Sequence, residues 1–113
     1  MHAVIFEVEP KPDGREEYLE IAAALRADLE KMDGFISIER FASLTNEGKI
    51  LSLSFWRDEA AIAAWRNLEN HRRAQVKGRT ELFAGYRLRI AEVVRDYSLD
   101  ERTEAPQSPP END

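Results

Sequence analysis

Six segments with two different hydrophobic periods follow one another in the first 97 residues, and their order constrains the fold more than any single motif. His2 to Glu9 alternates Val4, Phe6 and Val8 against Ala3, Ile5 and Glu7, the period of a strand, and Pro10 and Pro12 end it. Tyr18, Ile21/Ala22, Leu25, Leu29 and Met32 then recur at three- and four-residue steps, which predicts a helix. Asp13 and Glu16 are spaced as a capping pair at its start, and Gly34 stands where a left-handed cap would close it. Phe35 to Leu44 and Lys49 to Trp56 are strand-like runs around "TNEG", where Asn46 and Gly48 can take the positive φ of a hairpin connection. Asp58 is placed to cap a second helix through Ala61, Ile62 and Trp65, and "NLENHRRAQVKGR" continues as a broken or second short helix up to Gly78. Tyr86 to Tyr97 alternates again and reads as a long last strand. The order βαββαβ with right-handed crossovers predicts an α+β fold: a ferredoxin-like antiparallel sheet with both helices on one face.

The other face of that sheet also asks to be covered. Leu51, Leu53 and Phe55 point one way on the third strand, Ile50 and Trp56 point the other way with Ser52 and Ser54, and the first strand is mostly apolar on both sides. A sheet with one face in water alternates more cleanly. The expected partner is a second copy of the chain, closing a homodimeric α/β barrel.

Composition excludes several classes. The 113 residues suffice for one domain, expected over residues 1–97. Residues 98–113 hold three of the five prolines, five acids and one arginine, and are predicted to be a disordered acidic tail. No cysteine is present, so disulfides and thiolate metal sites are out, and with two histidines no metal site is expected. A net charge of −6 argues against nucleic acid, and no apolar stretch is long enough to cross a membrane as a helix. The N-terminus lacks the pattern of an export signal, so the expected location is cytoplasmic.

The chemistry open to such a chain centres on residues 55 to 86. His71 is the one internal side chain that titrates near neutrality without a large shift, a candidate catalytic base beside Arg72, Arg73, Lys77 and Arg79; the plainer reading is a solvated histidine at a polar helix end. Trp65 lies on the apolar stripe of the second helix, as core or as the wall of a pocket shared with Trp56 and with Phe83 or Tyr86. Arg79 could hold an anion or stand on a solvated face. Glu7 is either an exposed acid or an inward acceptor, and alternation alone leaves open which face looks into a pocket. For His71 to join Trp65, the second helix must break between Asn67 and His71, because six residues of unbroken helix turn about 600°. No nucleophile elbow, phosphate loop or dinucleotide fingerprint appears.

"AVIFEV", "DGFISIERF", "LSLSFWRDEAAIAAWRNLENHRRAQVKGR" and "YRLRIAEVVRDY" together resemble the antibiotic biosynthesis monooxygenase (ABM) family over about residues 1–97. That resemblance implies a dimeric ferredoxin-like barrel. It also implies cofactor-independent oxygenation of a small aromatic or phenolic substrate, with no cofactor, His71 as base, Trp65, Trp56, Phe83, Tyr86 and Glu7 around the substrate, and Arg79 facing its anion. Haem-degrading members carry an Asn-Trp-His set; Trp65 matches its tryptophan, but Glu7 stands at the asparagine position and Gln75 at the histidine position. Haem degradation is therefore the lesser enzymatic alternative, and a non-catalytic small-molecule-binding dimer of the same fold is the other.

Overall fold

The computed structural model describes residues 1–73 and 83–106, and for residues 70–73 the backbone alone. Its elements are β1 (His2–Pro10), α1 (Arg15–Glu30), β2 (Phe35–Ala42), β3 (Ile50–Trp56), α2 (Glu59–Arg73) and β4 (Phe83–Glu92), in the expected βαββαβ order. The strands form one antiparallel sheet in the order β2-β3-β1-β4, so each βαβ passage steps over one strand and β1 and β3 lie at the centre. Both helices cover the face that carries Val4, Val8, Ile50 and Trp56. No helix among the described residues is long and apolar enough to cross a membrane.

Local chemistry sets the element ends, and several differ from the sequence expectation: α1 ends at Glu30 with right-handed Lys31 as its C-cap, three residues before Gly34, and β4 begins at Phe83, not Tyr86. Asp13 does not cap α1: a turn in which Gly14 N donates to Lys11 O carries the chain one residue further, and Gly14 becomes the N-cap. In the β2–β3 connection Gly48 takes φ +87° but Asn46 does not take positive φ, because the Ser43 hydroxyl accepts from the Asn46 amide at 2.9 Å and shapes the turn. The last strand ends at Glu92, not Tyr97, since its partner β1 begins at His2 opposite Glu92; one further bond, Val93 N to Met1 O at 2.9 Å, exhausts the ladder. Beyond it Ser98 N donates to Glu101 O, Asp96 N to Glu104 Oε1, and Arg102 stacks over the Tyr97 ring. Residues 107–113 of the expected tail lie outside the described residues. By contrast, Asp58 caps α2 as expected, its Oδ1 accepting from the Ala61 amide at 2.9 Å.

Each edge strand carries an irregularity at its start. On β2 the register slips between Phe35 and Ser37, and on β4 the pairing passes from Gly85 opposite Glu9 to Phe83 opposite Pro10. Each slip inserts one extra residue, Ile36 or Ala84, and turns an aromatic ring onto the helix-covered face. Phe35 meets Trp56 edge-on at 5.3 Å, and Phe83 meets Tyr18 edge-on at 5.5 Å.

On the uncovered face Ile5, Phe41 and Leu51 lie around Glu7, and Leu53 and Phe55 follow further along β3. Lys49 at 2.6 Å and Arg89 at 2.7 Å grip the two oxygens of Glu7. The Lys49 hydrogen bond, with its charge, holds the carboxyl below its ordinary range. Asp33 and Asp58 are lowered likewise, Asp33 first by its forked hydrogen bonds from Arg57 and Asp58 first by the Ala61 amide. A depressed carboxylate pKa adds stability above the unfolded value that is lost as pH falls through the folded one. Thermal stability should therefore fall on acidification below the usual carboxylate range, and the fall should be shallower in Glu7→Gln.

Gly34 joins α1 to β2 at φ +87°, where its carbonyl accepts from Arg57 N at 2.7 Å. A Cβ there would lie 2.7 Å from Ala61 Cβ, inside the N-terminal turn of α2. Gly34→Ala combines left-handed strain with that clash and should cost roughly 2 kcal/mol or more. Its melting temperature should drop by on the order of 10 °C.

Candidate functional site

The helix-covered face of the sheet is apolar at its two ends and polar in the middle. At one end Val8, Ile50 and Phe83 pack with Tyr18 of α1; at the other Trp56 packs with Leu29, Ala61, Ile62 and Trp65. Between them β3 presents Ser52 and Ser54, both buried, and β2 presents Arg40 directly opposite Ser52. Two serines fill less volume than the branched residues a strand would normally set there, and the two packed clusters do not close over them. The result is a partly enclosed cavity of about 100 Å³ under both helices. Its walls are Val4, Phe6 and Leu88 from the sheet, Ile21, Leu25 and Leu29 from α1, and Ile62 and Trp65 from α2. The volume approaches that of an engineered apolar cavity that takes up benzene.

A few polar groups interrupt this lining. Ser54 Oγ accepts from Trp56 Nε1 at 2.9 Å, which satisfies a buried indole N–H and fixes the ring at the cavity edge. Arg40 Nε is shut off from solvent with no hydrogen-bond partner. Arg66 and Glu69, one and four residues beyond Trp65 on α2, reach the same cavity, and half-exposed Tyr86 closes its rim from β4.

The structure brings four of the residues proposed from sequence together. Trp56, Trp65, Phe83 and Tyr86 all line the cavity, with the two indoles 6.5 Å apart and Phe83 6.2 Å from Tyr86. Phe83 and Tyr86 share a face only through the extra residue on β4, since strict alternation would separate positions three apart. Glu7 is not part of this cavity. It lies on the uncovered face with Ile5 and Leu51, because alternation along β1 sends it away from Phe6 and Val8, and Lys49 and Arg89 take up both its oxygens. Helix α2 runs without a break from Glu59 to Arg73, so the interruption expected between Asn67 and His71 is absent. The side chain of His71, and Arg79 altogether, lie outside the described residues. Leu68 packs on the Trp65 cluster and Glu69 lines the cavity, as the spacing of an unbroken helix requires.

Sequence reasoning missed Tyr18, Arg40, Arg66 and Glu69. The signal for Glu69 was its four-residue step from Trp65; for Arg40 it was a lone cation at an inward position of an edge strand, legible only once the β2–β3 register is known. The described lining holds no histidine, cysteine or methionine; its side chains of a type that ligates haem iron are the phenols of Tyr18 and Tyr86.

A four-stranded antiparallel sheet with two helices in βαββαβ order, here with an aromatic-walled cavity between them, defines a ferredoxin-like α+β fold. The sequence profile of the antibiotic biosynthesis monooxygenase family matches residues 1–77, and the chain belongs to that family. It is 46% identical over 101 residues to the jasmonate monooxygenase ABM of Pyricularia oryzae, covering 89% of this chain and 47% of that protein. It is 33% identical over 104 residues to the uncharacterized protein YqjZ of Bacillus subtilis, covering 90% and 87%. The chain thus spans about half the length of the fungal relative and most of the bacterial one. Among solved structures, a haem degrader of Mycobacterium tuberculosis with two haems in its active site superposes with a TM-score of 0.69 at 20% identity, over 87% of this chain and all of that one. At that identity the likeness is one of fold.

Two substitutions read the cavity floor separately. Ser54→Ala leaves the Trp56 N–H buried without an acceptor and should cost about 1–3 kcal/mol. Ser52→Val adds apolar volume to the cavity and should leave the melting temperature equal or higher, while abolishing uptake of any ligand that the cavity holds. Thermal melts and ligand titration of the two variants check both outcomes.

Proposed function

We propose that the chain is a monooxygenase acting without a bound cofactor on a small ring-bearing molecule held in the cavity between the helices and the sheet. The observation that carries this is the cavity itself: an apolar, aromatic-walled space made by two buried serines where a core would otherwise close. A phenolic substrate that gives up its proton can reduce dioxygen directly. One oxygen atom then forms the new carbonyl of a quinone, and the other leaves as water with the ring C–H and phenolic O–H hydrogens. What such a reaction asks of the protein is a largely dry site, a proton acceptor and groups that steady the anion. Trp56, Trp65, Phe83 and Tyr86 supply the walls. Glu69, which lines the cavity from α2, serves as the proton acceptor; His71 could do so only through a break in α2 that the helix does not show, and Arg79, in the segment that follows, is a further cation for the anion. The fungal relative's named substrate, jasmonate, joins a cyclopentanone ring to a carboxylate and an alkenyl chain; without a phenol to reduce dioxygen, oxygenation of such a ring needs an external two-electron donor for the second oxygen atom to leave as water.

The uncovered sheet face supports a homodimer, because Leu51, Leu53 and Phe55 remain half-exposed beside exposed Phe41. Burying several hundred Å² of such surface contributes on the order of 25 cal/mol per Å². Sedimentation should give about twice the mass of one chain, and Leu53→Arg should shift it to the monomer.

Oxygen uptake with 1-naphthol tests the activity. Consumption above the protein-free rate, with 1,4-naphthoquinone as product, is expected, and Trp65→Ala should lower it at least tenfold. Glu69→Gln and His71→Ala, compared side by side, identify the proton acceptor by which of them abolishes turnover. Binding of 1-naphthol without oxygen uptake would favour the alternative, a ligand-binding dimer without turnover.

A further inference from the structure

We infer that Arg40 is an anion anchor, and that the natural ligand of the cavity is an apolar ring or chain bearing a single carboxylate. The inference rests on the reading of the cavity as the ligand site and adds to it the charge and orientation of what binds there.

Several cations of the sheet and helices pair with carboxylates: Arg26 with Glu30, Arg57 with Asp33 and Asp58, and Lys49 and Arg89 with Glu7. Arg40 is different. It is partly buried, its Nε has no solvent contact and no acceptor, and among the described residues no carboxylate pairs with it. The chain has 22 acidic residues against 16 basic ones, so a carboxylate was readily available to the fold. Glu69, the carboxylate among the described lining residues, is already engaged. A guanidinium Nε shut off from solvent without an acceptor is destabilising, and an acceptor brought in by a ligand removes that cost.

The surroundings of Arg40 are donors as well. Ser52 faces it across the β2–β3 ladder with a buried hydroxyl, and Arg66 of α2 lines the same cavity. Two guanidinium groups and a hydroxyl, set in a mostly apolar lining whose described carboxylate, Glu69, already has a partner, select an anion over a neutral polar group. The planar fork of one guanidinium matches one carboxylate, and the small cavity leaves the remainder of the ligand against the hydrocarbon and aromatic walls. Arg40 lies in the sheet row Arg40–Ser52–Phe6–Leu88, so the carboxylate sits over β2 and β3 and the apolar body extends across β1 toward Phe6 and Tyr86. Arg40 is thereby a positioning residue that decides which ring atom meets oxygen.

Jasmonate and its uncharged methyl ester, titrated against the quenching of Trp56 and Trp65 fluorescence at neutral pH, form the test. In the wild-type protein the acid should bind at least tenfold more tightly than the ester. In Arg40→Gln the Kd of the acid should rise at least tenfold and that of the ester less than twofold, while Arg40→Lys should keep part of the preference. Equal binding of acid and ester by the wild-type protein, or a preference unchanged in Arg40→Gln, overturns the anchor and leaves the cavity as a ligand site. Failure of both compounds to bind overturns the cavity reading and the anchor with it. The wild-type comparison needs no variant, so it decides the matter even if Arg40→Gln does not fold.

Discussion

Two hydroxyl groups on the central strand decide how this domain is packed. Ile50 and Trp56 are the apolar ends of the covered face of β3, and Ser52 and Ser54 lie between them where larger side chains would knit the two halves of the core together. Because Ser54 satisfies the Trp56 indole, the larger ring can stay buried beside an unfilled space instead of turning to find an acceptor. The packing of α1 against both ends of the sheet then spans that space, through Tyr18 at one end and Leu29 at the other. Stability is thereby held in two clusters, with the cavity between them.

The electrostatics follow the same division. On the uncovered face the Glu7 carboxylate is balanced by two cations, a closed arrangement that asks nothing of a ligand. Under the helices the balance is left open at Arg40. The acidic excess of the chain as a whole says little about either, since local geometry, not net charge, decides which groups meet.

Much of the fold was legible because it depends on short-range signals. The periods of two and 3.6 and the Asp58 cap act within a few residues, and the six elements and their order follow from them. What was not legible depends on pairing. The end of β4 is set by where β1 begins, and the inward turn of Phe83 by an extra residue opposite Glu9 and Pro10; neither can be seen in β4 alone. The site divides in the same way. Trp56 and Trp65 could be placed from their own elements, while Arg40 acquires meaning only from the strand that faces it. Glu7 was ambiguous for a related reason: β1 is apolar on both sides, and only the helices reveal which side is inner.

The slipped registers at the starts of β2 and β4 have a consequence for self-recognition. β2 and β4 are the two edges of the sheet, where unpaired backbone groups could template a strand from another chain. An inserted residue bends the edge and puts its next amide and carbonyl out of step with any straight incoming strand. Both edges carry that interruption, at Ile36 and at Ala84. The sheet is thus poorly suited to grow sideways into an open-ended stack, and its broad apolar face is left as the surface through which copies can meet in a closed pair.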